Sequence, residues 1–353
     1  MGHGVTGFPA RKKSFPLPPI RAIRVGVTEA RLDVLAIGDA IVDVIATAED
    51  DFLIREQLPK GSMRLIDPAE ATRLYGLMRQ ARETSGGSAA NTMAGVAALG
   101  GRAGFVGQVA KDQLGEIFAH DIRALGVEFR TPPRPGDLPT GRCLILVTPD
   151  GQRTMNTSPG ASHTLSVDAL DEQQIRDAAI LYLEAYLWVP DEPRAAMERA
   201  IEVAHDSGRK VAFTLSDIAC IARRRDSFLA LIERGAIDLL FANENEVRAL
   251  AGEDDFDKGI DALKDKVPLL VCTCSEKGAL AVDGGQRIHV PAAPVARVVD
   301  TTGAGDLFAA GFLSGQARGR SVEQSLRMGA IAAAEIISHF GARPEVDLKA
   351  LMP

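Results

Sequence analysis

From Asp33 onward the apolar residues fall into two rhythms. Short unbroken apolar runs at 34–38, 104–106, 143–147, 180–183, 211–215, 239–242 and 269–274 predict strands. Because these runs do not alternate with polar residues, both faces of each strand are expected to be covered, as in a parallel sheet. Longer stretches with apolar residues three or four apart predict helices at 89–99, 113–125, 194–205, 244–250, 304–314 and 322–338. Alternation of this kind predicts an α/β fold: a doubly wound, mostly parallel sheet flanked by helices, with ligands at the carboxyl ends of the strands.

Two segments break the alternation. Residues 41–66 and 129–161 carry short apolar or polar-alternating runs among many turn residues, and predict a small β-sheet standing off the core as a lid. A lid matters in group transfer because water would compete with the intended acceptor. Residues 1–30 differ again, being rich in Pro, Gly and basic side chains such as Arg11, Lys12, Lys13, Arg21 and Arg24. They read as a flexible leader outside a folded unit spanning 31–353. The leader contains Gly2-His3-Gly4-Val5-Thr6-Gly7, which matches the dinucleotide fingerprint, and its first six residues also match a myristoylation pattern. No strand precedes the glycines and no other anchoring feature accompanies them, so both matches read as accidents, and with them falls a dinucleotide-dependent oxidoreductase.

Composition narrows the class. The chain has 353 residues, 46% hydrophobic and 25% charged, which suits one large globular unit, with or without a small appendage. A formal net charge of −7 argues against nucleic acid as a partner, because counterion-releasing basic surface is scarce. No apolar run approaches a membrane span. The four cysteines, Cys143, Cys220, Cys272 and Cys274, lack zinc spacing and read as buried filler. With no secretory signal, a reducing cytoplasm is the expected setting.

The stretch Asp300-Thr301-Thr302-Gly303-Ala304-Gly305-Asp306 carries the most chemistry. Small residues opening an apolar helix leave unpaired backbone N–H groups at the positive end of the helix dipole, an arrangement that binds phosphate. An aspartate beside a phosphate site is unfavourable unless it acts, and the economical role for Asp306 is a base that takes a proton from a hydroxyl. The bland alternative is a helix cap.

Four further clusters accompany the turn. In Gly38-Asp39-Ala40-Ile41-Val42-Asp43, the aspartates follow the first strand, where one carboxylate can accept two O–H bonds from a sugar diol. Two solvated loop aspartates is the equal alternative. In Gly86-Gly87-Ser88-Ala89-Ala90-Asn91, glycines allow close backbone approach and Asn91 offers both donor and acceptor, while Ser88 reads alternatively as a plain cap. Asn243-Glu244-Asn245-Glu246 supplies hard oxygens suited to Mg²⁺, or an ordinary polar helix start. Asp150-Gly151-Gln152-Arg153 reads as a hairpin turn carrying Arg153 over the site as a phosphate clamp, with a surface arginine as the default alternative. There is no Walker A pattern and no Gly-x-Ser-x-Gly elbow.

Taken together, these clusters resemble the ribokinase-type (PfkB) family of carbohydrate and nucleoside kinases, in order, from about Asp33 to the end. The resemblance implies an ATP- and Mg²⁺-dependent phosphotransferase acting on a small-molecule nucleoside or sugar, a monomer or homodimer. Asp306 then matches the general base, and Gly303, Ala304 and Gly305 the anion hole. Asp39, Asp43, Gly87 and Asn91 fall on positions that hold the acceptor, and Asn243 and Glu246 match the motif linked to magnesium and phosphate. Many members use a monovalent cation such as K⁺ near the anion hole, for which Asp300 and Thr302 would be local ligands. Asp51-Phe52-Leu53, Leu58, Leu65-Ile66-Asp67 and a helix up to Thr84 separate Asp43 from Gly86, a longer lid segment that resembles adenosine kinases. That branch usually has Asn where this chain has Asp39. A sugar kinase is the alternative acceptor class, and a catalytically silent regulatory member is the alternative of another kind.

Overall fold

The computed structural model describes Met1 and residues 30–353. The expected leader, with its glycine fingerprint and myristoylation-like start, therefore lies outside the described residues. The strands, in chain order, are β1 (Leu32–Ile37), β2 (Ile41–Thr47), β3 (Met63–Leu65), β4 (Arg82–Gly86), β5 (Ala103–Val106), β6 (Val127–Phe129) and β7 (Gly141–Val147). They continue with β8 (Arg153–Ser158), β9 (Ala178–Glu184), β10 (Lys210–Thr214), β11 (Leu239–Asn243), β12 (Leu269–Thr273), β13 (Ala279–Asp283) and β14 (Gln286–Val290).

The large sheet has the order β14-β13-β12-β11-β10-β9-β1-β5-β6. From β6 to β12 every pairing is parallel, and only the β12-β13 and β13-β14 pairings at the edge are antiparallel. The unbroken apolar runs are explained by two covered faces. Val34, Ala36, Ile180 and Tyr182 pack on one side with Met93, Leu307, Phe312 and Leu326. Leu35, Ile37, Leu181 and Leu183 pack on the other with Met197, Phe228 and Leu250. Strand order reverses at β1, where the chain goes one way to β5 and the other to β9, so a crevice opens at the carboxyl ends of β1 and β9.

On the first face the helices Ser88–Ala98, Ala304–Ala317 and Val322–Ile336 approach closely. A Cβ on Gly95 would come within 2.6 Å of Ala310 Cβ, and one on Gly311 within 2.5 Å of Met328 O. Small residues on these helices therefore set how near the start of Ala304–Ala317 sits to the start of Ser88–Ala98.

The second, five-stranded sheet has the order β3-β8-β7-β2-β4. Residues 143–147, read both as a strand of the core pattern and as part of the 129–161 segment expected to build the small sheet, belong here as part of β7. The run is apolar on both faces because the helix Pro68–Leu77 packs against β7 and β8 on one side, while the other side lines a cavity. The helix expected to reach Thr84 ends at Leu77, and Thr84 lies in β4. Phe129 belongs to β6 of the large sheet, and β4 lies outside both segments expected to build the small one. No helix among the described residues is long and apolar enough to cross a membrane.

Candidate active site

The turn before Ala304–Ala317 requires glycine. Gly303 is the helix N-cap with φ 78°, and a Cβ there would come within 2.9 Å of Ala342 Cβ. Ala304 N–H turns back to Thr301 O at 3.2 Å, while the amides of Gly303, Gly305 and Asp306 donate to no protein atom among the described residues. A Cβ on Gly305 would meet nothing within 4 Å. Free amides at a helix start, opening onto empty space, are suited to hold an anion. Gly303, Ala304, Gly305 and Asp306 line a cavity of about 800 Å³ lying between the two sheets.

Asp306 is the third residue of its helix and not its cap. Ser88 Oγ donates to Oδ1 at 2.6 Å, and Asn91 Nδ2 donates to Oδ2 at 3.0 Å. Burial raises its pKa above the ordinary value of 3.8, against the pull of those two hydrogen bonds and of Arg343. A carboxylate raised in this way is a stronger base than an exposed one. Ser88 and Asn91 share one face of the Ser88–Ala98 helix at i and i+3. The cap of that helix is Gly87, so Ser88 serves Asp306 and not its own helix end.

Asp43 reaches the cavity from the small sheet, on β2 between Thr84 of β4 and Cys143 of β7. Its carboxylate lies against Gly86, where a Cβ would come within 2.3 Å of Asp43 Cγ. Gly87 has φ 97°, and a Cβ there would come within 2.2 Å of Asp39 O. The paired glycines thus make room for the chain's own aspartates. Burial pushes Asp43 up to about 6, with Arg343 and Arg153 pulling it down and Asp306 pushing it up.

Asp39 follows β1 at the strand-order reversal. Ser162 Oγ donates to its Oδ1, His163 Nε2 lies 3.7 Å from the same oxygen, and burial raises its pKa. Beside it is a residue not singled out from sequence. Glu184, the last residue of β9, is wholly buried and accepts from Asp39 N–H at 2.6 Å and Ala89 N–H at 2.7 Å. It fastens the end of β1 to the start of the Ser88–Ala98 helix. Burial, with the nearby Asp39 charge, pushes its pKa well up. Its only sequence signal is one acidic residue closing an apolar strand.

Arg343 was also missed. Its Nη1 donates to Asn91 Oδ1, and its Nη2 donates to Ser85 O at 2.5 Å and Ser85 Oγ at 3.1 Å. Its Nε is buried without a partner among the described residues, and its charge faces Asp43, Asp121 and Asp306. Both ends of the Asn91 amide are therefore fixed, one by Asp306 and one by Arg343. No motif surrounds Arg343 in the sequence.

Asn243 and Glu246 line the cavity and form a reciprocal capping box. Glu246 is buried, makes no ion pair among the described residues, and is pushed up to about 7 by burial. Each Glu246 oxygen accepts one bond, Oε2 from Asn243 N–H at 3.0 Å and Oε1 from Asn243 Nδ2 at 2.7 Å, which leaves a lone pair on each for a water, so the carboxylate fits a magnesium ion held through water. Cys143 and Cys220 line the cavity too, so filler describes them incompletely; all four cysteines are buried and free.

Arg153, expected over the phosphates, does not line the cavity. Its Nη2 pairs with Asp300 Oδ2 at 2.7 Å, with both side chains at most 9% exposed, and its Nη1 reaches Thr302 Oγ1 at 3.4 Å. Asp300 Oδ1 accepts from Thr302 N–H at 3.1 Å and its hydroxyl at 2.8 Å, and Oδ2 also accepts from Gly341 N–H at 3.0 Å. Both oxygens are engaged, so Asp300 and Thr302 as arranged do not fit a monovalent cation.

Apart from Asp43, Arg64 and Thr157, the wall that the small sheet adds is apolar. Ile41, Cys143, Ile145 and Met155 face the cavity from the small sheet, joined by Met63 and Leu65 of β3. They alternate with Val42, Val44, Leu144 and Leu146, which pack on the outer face with Leu53, Ala71 and Leu74.

Residues 32–348 match the model of the pfkB family carbohydrate kinases. An adenosine kinase from Sinorhizobium meliloti is 47% identical with a TM-score of 0.85, covering 91% of this chain and 98% of that one. A probable sugar kinase from Rhizobium etli is 45% identical with a TM-score of 0.85, over 91% and 98% of the two chains. An ATP-dependent ribose-1-phosphate kinase of Halopiger xanaduensis is 31% identical over 75% of this chain and 84% of its own length.

Proposed function

The chain belongs to the pfkB family of carbohydrate kinases, ATP-dependent phosphotransferases acting on a sugar or nucleoside, and on that premise we propose that its acceptor is adenosine, phosphorylated on the primary hydroxyl to AMP. One observation carries this reading: Asp43 and Asp306 share their cavity with the apolar wall of Ile41, Ile145, Met155 and Leu65. A free sugar presents hydroxyls on every side, whereas a purine presents flat apolar faces that such a wall can cover. The likeness to an adenosine kinase supports the same acceptor. The likeness to a probable sugar kinase at nearly equal identity favours a sugar as the second reading.

In this reading the small sheet is a lid. Asp43 accepts the ribose hydroxyls, helped by Asn91 and by the backbone near Gly87, and Asp39 faces the far side of the nucleoside. Asp306 takes the proton of the primary hydroxyl while the γ-phosphoryl group transfers in line, a positioned base contributing about 10²–10⁴-fold. The free amides of Gly303, Gly305 and Asp306 stabilise the charge that develops on the phosphoryl oxygens, each such donor being worth roughly 3–4 kcal/mol, whereas the Ala304 amide, matched to the anion hole from sequence, turns back to Thr301 O. No cluster of three or more His, Cys, Asp or Glu among the described residues could hold a metal alone, so magnesium would be held by Asn243 and Glu246 through water and by the nucleotide, whose phosphate charge it neutralises.

ADP release with ATP, Mg²⁺ and a panel of adenosine, inosine, ribose and fructose tests the proposal. Saturation by adenosine at micromolar concentration is expected. Preference for a free sugar overturns the acceptor, and no ADP with any acceptor favours a catalytically silent protein.

A further inference from the structure

The anion site has its shape because two chain segments meet. Val299 N–H donates to Ile337 O at 2.8 Å, and Gly341 N–H donates to Asp300 Oδ2 at 3.0 Å. Ala342 packs so close to Gly303 that only glycine fits there. Asp300 is the charged centre of this junction, and a buried carboxylate needs a positive partner. A loosely held monovalent cation supplies that charge where carboxylate and carbonyl oxygens are left free. Here the carboxylate oxygens of Asp300 are not free, because Thr302 and Gly341 take one lone pair after another and a guanidinium takes the rest.

That guanidinium comes from the other sheet. Arg153 opens β8, and the ring of Phe340 lies 5.9 Å from its guanidinium carbon. The hairpin bearing it is itself tied down, since Lys60 Nζ lies 2.7 Å from both Asp50 and Asp150. A second cation beside Asp300 would sit against the guanidinium and be repelled.

We propose that Arg153 replaces the monovalent cation: it neutralises Asp300, holds the two segments of the anion site together, and makes phosphoryl transfer independent of potassium. It acts as a positioning residue, since it touches the turn and not the cavity. Because it belongs to the small sheet, the charge arrives with that sheet, and the anion site is complete only when the sheet lies over it. The proposal rests on family membership and on geometry, not on adenosine as acceptor.

The test has two arms. In the first, the acceptor identified by the panel is turned over with ATP and Mg²⁺ in buffer whose only monovalent cation is tetramethylammonium, and K⁺ is then titrated in. The wild-type rate should not change. Arg153→Met should lose activity on the order of 10²-fold, as when an anion-site donor is removed, and regain part of it with K⁺. A purely structural role would not give cation rescue. In the second arm, crystals are soaked in Tl⁺ and its anomalous signal is sought at Asp300. None is expected in the wild type, and a peak is expected in Arg153→Met. Activation of the wild type by K⁺, Tl⁺ bound at Asp300 with Arg153 in place, or an Arg153→Met protein that K⁺ cannot rescue would each overturn the proposal. The wild-type Tl⁺ measurement needs neither an acceptor nor a folded variant, so it stands if the adenosine reading fails.

Discussion

The large sheet and the small sheet each bring an aspartate to one cavity, and they hold it by different means. Asp306, at a helix start above the large sheet, has neutral donors, the Ser88 hydroxyl and the Asn91 amide. Asp43, on the small sheet, faces the guanidinium charges of both Arg343 and Arg153, of which only Arg343 also pulls on Asp306, and there less than the two hydrogen bonds do. Neutral donors orient a carboxylate while leaving it basic, whereas facing cations favour its ionised form. Burial raises both groups. What differs is the counterweight, and the difference suits a base on one side and an ionised anchor on the other.

The contrast breaks most visibly at Asp306. Asp306→Asn should lower turnover by about 10²–10⁴-fold, while acceptor affinity measured by calorimetry stays close to that of the wild type. Comparable losses in both would make Asp306 an anchor like Asp43. Asp43→Asn should do the reverse and weaken acceptor binding by about 1.5–3 kcal/mol, the range for hydrogen bonds to a charged group. Unchanged affinity would return Asp43 to an ordinary strand position.

The same variant carries a signed prediction for stability. Asp43 has a folded pKa of about 6 against an ordinary value of 3.8, so the folded state holds this proton more tightly. Its contribution is therefore fully present below the ordinary value and is lost as pH rises through about 6, a difference of about 3 kcal/mol. Denaturant unfolding of Asp43→Asn should show a flatter pH dependence across that window. A slope equal to the wild type's would mean that Arg343 and Arg153 fully offset the burial.

The smallest effect concerns the joint between β1 and the Ser88–Ala98 helix. Glu184→Gln leaves one acceptor oxygen for the N–H groups of Asp39 and Ala89, so one buried donor goes unpaired at about 1–3 kcal/mol. The unfolding midpoint reports it, and no shift would show that water or a neighbour satisfies the orphan.

The two aspartates also differ in how far sequence reveals their surroundings. The turn from Asp300 to Asp306 is contiguous, so small residues, helix start and carboxylate can be read together. The partners of Asp43 arrive through strand pairing: Cys143 from β7, Thr84 from β4, and Arg343 from the far end of the chain. Periodicity showed that 143–147 is covered on both faces but could not say in which sheet. The helix Ile218–Glu233 escaped notice because Arg223, Arg224 and Arg225 interrupt its apolar spacing, and Arg224 is non-helical at φ −138°. The hairpin β13–β14 was missed because β14 is mostly polar, as an exposed edge strand allows. Arg153 lies on the hairpin that the turn residues announce, but no local pattern announces that its charge will pair with Asp300.

The most direct test of Asp306 as the base is the pH dependence of kcat at saturating ATP and acceptor. A base works only when ionised, so the rate should fall on the acid side with an apparent pKa above the ordinary carboxylate value, because burial raises Asp306. The residual activity of Asp306→Asn should lack that limb. An identical acid limb in Asp306→Asn, or a wild-type rate flat into the ordinary carboxylate range, would contradict the account.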